Sequence, residues 1–167
     1  MAVPNVLLFV ADGLQARCIR DPSVVCPNME RLIASGVDVR GAYTPLPTCS
    51  PARASLMTGL LPHNHGVIHV EHGVDQDQAV LREQCPHWAQ LLQQAGMTTA
   101  LFGKWHVERT GQLAEFGWSE SANLGAQAHA AASQHGGASQ LPLDPNLSRL
   151  HTGPRGCESI FSLSAFC

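Results

Sequence analysis

Cys49, Pro51 and Arg53 stand at alternate positions of one short run, and their types and spacing suit the binding of an anionic oxygen. Proline favours the first turn of a helix, because its missing N–H would have no intrahelical partner there and its φ is already helical. This places Cys49 just ahead of a helix start, where backbone N–H groups and the helix dipole attract anions. Arg53 adds a permanently charged donor fork on the same face. The pattern predicts a site for a tetrahedral oxyanion.

The first apolar segment of the chain ends in an acidic residue. Residues 4–13 (PNVLLFVADG) are rich in valine and leucine and close on Asp12 and Gly13, which is typical of a buried parallel strand. Parallel sheets bind ligands at the carboxyl ends of their strands, so Asp12 lies where a metal ligand is useful. An Asp-Gly pair after a strand is also a common turn that binds nothing, and this segment alone leaves both interpretations open.

A third segment, residues 102–106 (FGKWH), carries a lysine and a histidine two residues apart. In an extended chain Lys104 and His106 lie on the same side, and Trp105 faces away into packing. Lysine supplies a point charge for an anionic oxygen, and histidine can transfer a proton near neutral pH. Taken alone, a solvated lysine and a hydrogen-bonded structural histidine are the commoner explanation.

Together the three segments resemble the type I sulfatases of the alkaline phosphatase superfamily. Residues 48–59 (TCSPARASLMTG) are similar to that family's signature, in which the cysteine of Cys-x-Pro-x-Arg is oxidised after translation to formylglycine. Residues 102–106 resemble its Gly-Lys-Trp-His, and the strand ending in Asp12 resembles its first strand. Gly13 stands where a second metal-binding aspartate is common. Ala52 replaces the usual serine, a variant also associated with phosphonate monoester hydrolases and related arylsulfatases.

The resemblance implies a sulfuric ester hydrolase and a role for each matching residue. Cys49 would become the formylglycine, whose hydrate attacks sulfur. Asp12 and the converted Cys49 would hold a divalent metal, with Ca²⁺ expected first and Mg²⁺ or Mn²⁺ as alternatives. Arg53 and Lys104 would bind the sulfate oxygens, and His106 would assist the release of sulfate.

The same resemblance implies two partners, a small-molecule sulfate ester and a formylglycine-generating or sulfatase-maturating enzyme. Two alternatives stay open. One is a phosphonate or phosphate-ester hydrolase of the same superfamily, and the other is a non-catalytic remnant or metal-binding module.

Composition is consistent with a single folded domain. The chain has 167 residues, of which 44% are apolar and 14% charged, with a formal net charge of −3. No stripe of lysine or arginine is present to neutralise a phosphate backbone, which argues against nucleic acid as a partner. The apolar run near Met1 has no basic n-region and is too short to span a bilayer, so we expect a cytoplasmic protein without a membrane partner. The six cysteines lack paired spacing, and most of them are expected to be reduced and structural.

The elements that must position these residues alternate between helices and strands. Residues 27–36 and 86–96 each have a proline near the start, apolar residues at helical spacing and a glycine at the end, which predicts two helices. Residues 37–43 and 97–102 predict strands after them. This order predicts an α/β fold with a parallel sheet and right-handed crossovers. By resemblance it is the N-terminal portion of the alkaline phosphatase-like (sulfatase) fold.

Residues 63–72 (HNHGVIHVEH) contain four histidines and a glutamate, which are common zinc ligands. They support the rival hypothesis of a small metal-binding module. Gly66 interrupts any regular face, however, and the spacing matches no standard zinc motif. Residues 62–66 also resemble a stretch that follows the sulfatase signature, so a loop beside the substrate pocket is the preferred interpretation.

The character of the chain changes near Ser119. Residues 119–140 are rich in Ala, Gln, His, Ser and Gly, a composition that buries little apolar surface. We therefore predict a partial sulfatase catalytic region over residues 1–118 and a low-complexity or irregular, mobile tail over residues 119–167. Within this tail, residues 160–163 are expected to be only a short apolar ending.

The resemblance covers only part of a sulfatase. In that family the C-terminal half supplies further metal ligands and a second lysine and histidine around the sulfate, and none of these can be located in the sequence. Asp12 and a converted Cys49 are too few for calcium, which takes about six to eight oxygens. The chain therefore reads as a fragment or a truncated product, and we predict little or no turnover by the isolated chain.

Overall fold

The computed structural model describes residues 4–75 and 77–123, together with the backbone of residues 159–165. Four parallel strands form one sheet: β1 (Val6–Ala11), β2 (Thr98–Gly103), β3 (Glu120–Asn123) and β4 (Ser159–Ala165). The order across the sheet is β1-β4-β2-β3. This confirms the predicted α/β parallel sheet. Because the strands run parallel, their carboxyl ends share one edge, and Asp12 and Lys104 both follow strands at that edge.

Five α-helices occur in the described part of the chain. Those predicted from the sequence are α2 (Pro27–Ser35) and α5 (Trp88–Gln94), and the signature forms α3 (Cys49–Thr58). Two short helices, α1 (Ala16–Arg20) and α4 (Pro62–His65), were not predicted, because each has too few residues to show a helical periodicity. Two 3₁₀ turns cover Glu71–Gly73 and Leu113–Phe116.

The strand predicted over residues 37–43 is wrong. This segment forms turns and irregular backbone, and Val37 and Tyr43 are 89% and 94% exposed. A strand needs a neighbour to satisfy its backbone groups, and among the described residues no strand lies beside this segment. Local β-propensity therefore did not decide its structure.

Two strands lie inside the tail that the sequence predicts to be irregular. β4 sits between β1 and β2 and pairs with both, so Phe161 lies opposite Leu7 on one side and Ala100 on the other. The sequence did not predict β4 as a strand, because the segment is short and its two neighbouring strands lie far away in the chain. The expectations for residues 124–158 and 166–167 lie outside the described residues, and the boundary at residue 118 stays a prediction.

The core lies between the sheet and helices α3 and α5. Its centre is an aromatic cluster, which consists of His87, Trp88, Trp105, Phe116 and Trp118, with ring centroids 5.0–6.1 Å apart. Ala54 and Met57 of α3 and Ala89 of α5 are buried against it. Trp105 is fully buried, as the sequence predicts. The cluster therefore anchors the segment that carries Lys104 and His106.

Four of the six cysteines, Cys18, Cys26, Cys49 and Cys85, fall in the described ranges, and all four are free thiols. No helix in the described part of the chain has the combined length and apolar character that a membrane crossing requires.

Candidate functional site

The signature segment builds the start of helix α3. Thr48 is extended and Cys49 is the first helical residue, with the first intrahelical bond running from the Ala52 N–H to the Thr48 carbonyl at 3.0 Å. Pro51 lies inside the first turn, where no backbone donor is needed. The helix ends at Gly59, which takes φ 71° and donates its N–H to the Ser55 carbonyl at 2.8 Å. Cys49 thus lies within the helix start and not just ahead of it.

A cavity of about 930 Å³ opens over this helix start. It is lined by Asp12 from the end of β1, by Cys49 and Arg53 from α3, and by the segment between Tyr43 and Thr48. Ala52 also faces this space. The fold therefore brings together three of the five predicted site residues around one open volume, although Asp12 is 37 positions before Cys49 in the chain.

Lys104 joins this group through Asp12. Its Nζ donates to Asp12 Oδ2 at 2.5 Å, and Arg53 Nη2 lies 3.8 Å from the same oxygen. Arg53 Nη1 also donates to the Lys104 carbonyl at 2.6 Å, which ties α3 to the end of β2. The Arg53 and Lys104 side chains are only 7% and 9% exposed, whereas Asp12 is 29% exposed. Two nearly buried cations therefore flank one accessible carboxylate.

Asp12 is held in its ionised form. Burial alone would raise the pKa of this carboxyl, but the hydrogen bond and charge of Lys104, with the charges of Arg53 and His106, outweigh burial and lower it. An ionised carboxylate that faces the cavity is a suitable oxygen ligand for a divalent cation. The Cys49 thiol is a soft ligand and becomes suitable for a hard cation only after conversion to an oxygen-bearing group. The donor set therefore fits part of a divalent metal site.

His106 faces a different set of groups from Lys104. Its Nε2 lies 3.6 Å from Glu71 Oε1 and 3.2 Å from His72 Nδ1, and the two imidazole rings stack. The extended geometry expected for residues 102–106 is wrong beyond Gly103, because β2 ends there and His106 takes φ 50°. A non-glycine residue in this region is uncommon and is often found at functional sites.

The histidine run of residues 63–72 does not form one site. His65 is fully buried, and its Nδ1 accepts the Val67 N–H at 3.1 Å. Its Nε2 therefore carries the proton and donates to Ser55 Oγ at 2.9 Å, so His65 cannot act as a base toward that serine. Burial, with the nearby positive charges of Arg82 and His63, lowers the pKa of His65 and keeps it neutral. We assign His65 a structural role.

Sequence reasoning missed two residues that hold the Glu71 loop in place. Ser50, the fully buried neighbour of Cys49, accepts the Glu71 N–H at 3.3 Å. The Arg109 guanidinium donates to the carbonyls of Glu71 and Val74, and its Nε lies 3.9 Å from Glu71 Oε2. Neither residue stands out in the sequence, because each acts on backbone groups more than 20 positions away.

Replacing Asp12 by Asn is expected to lower the free energy of unfolding by about 2 kcal/mol at neutral pH, because it removes the carboxylate that Lys104 and Arg53 both contact. Asp38→Asn is the matched control. Asp38 also lies between two basic side chains, Arg20 and Arg40, but those are well exposed, so solvent screens the pairs and we expect a clearly smaller loss. Urea unfolding of both variants measures the difference, and equal losses would show that the Asp12 network contributes no more than a surface ion pair.

Comparison with known proteins gives consistent matches. A family model described as Sulfatase matches residues 4–135. Human arylsulfatase A is 34% identical over 107 residues, which cover 62% of this chain and 21% of that protein. The chain spans 11–22% of the length of the first four curated relatives that it matches.

Two solved structures illustrate the likeness of fold. A 2-O GAG sulfatase superposes with a TM-score of 0.67 at 19% identity, over 96% of this chain and 34% of that one. The phosphonate monoester hydrolase of Silicibacter pomeroyi superposes with a TM-score of 0.64 at 19% identity, over 97% of this chain and 41% of that one.

Proposed function

This chain belongs to the sulfatase family, and on that basis we propose that it carries the nucleophile and part of the anion-binding site of a sulfuric ester hydrolase. The alkaline phosphatase-like fold predicted from the sequence is confirmed by the structural matches. The observation that carries the proposal is the grouping of Asp12, Cys49 and Arg53 around one cavity, with Lys104 bonded to Asp12.

Cys49 is proposed as the precursor of formylglycine, whose hydrate supplies an oxygen nucleophile. Its place in the first turn of α3 supports this role, because helix N-termini favour anionic groups. The partner required is a formylglycine-generating or sulfatase-maturating enzyme. Ser50 and Pro51 beside Cys49 are buried. Such an enzyme must therefore reach the segment either before α3 folds or while α3 is transiently open.

Arg53 and Lys104 are proposed to bind the sulfate oxygens. Both are nearly buried beside Asp12, and Arg53 lines the cavity, so a tetrahedral anion there would meet positive charge that the fold already holds in place. Arg53 is held by the Lys104 carbonyl, which fixes the direction of its remaining donors. His106 is proposed to transfer a proton at Nε2, the nitrogen that faces Glu71 and His72.

A divalent metal is proposed at Asp12 and the converted Cys49, with Ca²⁺ first and Mg²⁺ or Mn²⁺ as alternatives. When bound there it would polarise the sulfate and favour the ionised nucleophile. Asp12 is the ionised oxygen ligand that the described residues offer on this side of the cavity. Lys104 Nζ donates to the same carboxylate.

The alternative function is hydrolysis of a phosphonate or phosphate ester at the same site. Its support is the structural match to a phosphonate monoester hydrolase, together with Ala52, which lines the cavity and replaces the usual serine of the signature. The remaining role proposed from the sequence, a non-catalytic remnant, predicts that Cys49 stays a thiol. Cytoplasmic localisation stays a prediction.

The first test is mass spectrometry of the full chain co-expressed with a maturating enzyme. We expect the mass of the Cys49 peptide to fall by about 18 Da, because O replaces SH₂. The corresponding peptide of Cys49→Ala should show no such decrease. Cys18, an unrelated free cysteine, should remain unmodified in the same digest. An intact thiol at Cys49 under these conditions would reject the proposed nucleophile.

The same preparation separates the two hydrolase classes. Any turnover is expected to be weak, to favour an aryl sulfate over an aryl phosphonate monoester, and to vanish in Cys49→Ala. Preference for the phosphonate would favour the alternative function. Robust turnover by the 167-residue chain would contradict the prediction that its metal ligands are incomplete.

A further inference from the structure

The 3₁₀ turn Glu71–Gly73 brings a second group of metal-ligating atoms against His106. Glu71, His72 and His106 each offer one ligand atom, and these atoms all lie within 4.8 Å of one another. Two of the three separations are 3.2 Å between His72 Nδ1 and His106 Nε2 and 3.6 Å between His106 Nε2 and Glu71 Oε1. A tetrahedral ion with bonds of about 2.0–2.1 Å places its ligand atoms about 3.3–3.4 Å apart. Two of the three separations are therefore close to those of an occupied site, and the third lies within 4.8 Å.

We propose that Glu71, His72 and His106 form a binding site for zinc or a similar borderline transition-metal ion, distinct from the metal position at Asp12. Two imidazoles and one carboxylate select such ions, whereas calcium and magnesium prefer sites made of oxygen alone. Three protein ligands leave one coordination position open to water or an anion. The contacts of Asp12 run to Lys104 and Arg53 and not to Glu71, so the two sites use separate ligands.

The surroundings hold the three ligands in place. The Glu71 N–H is fixed by Ser50 Oγ, and the Arg109 guanidinium binds the carbonyls of Glu71 and Val74. Arg109 also lies on the Oε2 side of Glu71, which leaves Oε1 toward His106. The side chains of His106 and Glu71 are 6% and 19% exposed, whereas His72 is exposed. An ion can thus enter from the His72 side and meet ligands that need little rearrangement.

The site has a consequence for catalysis that rests on the proposed function. His106 Nε2 cannot hold an ion and transfer a proton at the same time. Bound zinc is therefore expected to inhibit hydrolysis, while the binding itself needs neither substrate nor a converted Cys49. Failure of the sulfatase proposal would remove the inhibition and leave the zinc affinity unchanged.

The test measures zinc binding to the full 167-residue chain by competition with a chromophoric chelator. We expect one tightly held equivalent, and we expect His72→Ala and Glu71→Gln each to weaken it about 100-fold, since even outer-shell changes cost about 10–100-fold. His69→Ala is the matched control, because His69 is an exposed histidine of the same run that lies outside the group, and its affinity should stay unchanged. Far-UV circular dichroism confirms that each variant is folded.

Cobalt provides the second readout. The Co²⁺ complex is expected to show tetrahedral d–d bands without thiolate charge-transfer bands, which separates this site from the free cysteines. Absence of stoichiometric zinc binding, thiolate bands in the cobalt spectrum, or an equal loss of affinity in His69→Ala and His72→Ala would each overturn the proposal.

Discussion

Acidification from pH 6.5 to pH 4 is expected to lower the free energy of unfolding by about 3 kcal/mol through one residue, His87. His87 is 2% exposed and packs against the rings of Trp88, Trp105, Phe116 and Trp118. Neither of its ring nitrogens has a hydrogen-bond partner among the described residues. Burial lowers the pKa of His87 from 6.5 to about 4, because a charged imidazole cannot be solvated there.

The direction of the effect follows from proton binding. In the unfolded chain His87 takes up a proton near pH 6.5, whereas in the folded chain it does so only near pH 4. The unfolded state therefore binds more protons between these values, and stability falls as the pH falls through this window. Above pH 6.5 His87 is neutral in both states, and its contribution is fully present.

His87→Phe isolates this contribution. Urea unfolding across the pH range should show the decline in the parent chain and a flatter profile in the variant, because phenylalanine keeps the ring and removes the titration. Burial raises the pKa of Glu108, so the contribution of Glu108 to stability increases as the pH falls. This contribution is the same in the parent chain and the variant, and it cancels when the two profiles are subtracted. Parallel profiles would contradict the prediction. Titration of the His87 imidazole by NMR in the folded parent, with an expected pKa of about 4, gives an independent check.

Gly117→Ala is expected to cost about 3 kcal/mol or more of unfolding free energy. Gly117 follows the 3₁₀ turn Leu113–Phe116 with φ 87°, and an added Cβ would lie 2.2 Å from the Gln90 nitrogen and 2.5 Å from the Ala89 carbonyl carbon. These are backbone atoms of α5, so a side-chain rotation cannot relieve the overlap. Separation of the turn from α5 would also disturb Trp118 and, through the aromatic cluster, Trp105.

Gly96→Ala is the matched control for backbone conformation. Gly96 has nearly the same φ, 85°, but an added Cβ would meet nothing within 4 Å. The free energy of unfolding of this variant should fall only by the cost of placing alanine in left-handed backbone, about 1–2 kcal/mol. Urea unfolding followed by tryptophan fluorescence measures both, and equal losses would show that the close approach to α5 does not limit stability.

The signature region was predictable because its signals are local. Pro51 marks the first turn of α3 through a backbone rule that acts within one helix. The apolar run before Asp12 likewise identifies a strand and the position of its last residue. The sequence missed β4 and wrongly assigned a strand to residues 37–43, because strand formation depends on neighbours that are distant in the chain.

By itself, the sequence determined the family and the parallel sheet, and it singled out five candidate site residues, since these depend on residue type, short spacing and chain order. Tertiary structure alone decided which of them meet. Lys104 reaches Asp12 across 92 positions, while His106, two residues further on, turns to Glu71 and His72. The Lys104 and His106 side chains have different partners because β2 ends at Gly103 and the backbone of His106 is left-handed. Such long-range packing leaves no periodic trace in a sequence, and it gives two residues that stand two positions apart different polar partners.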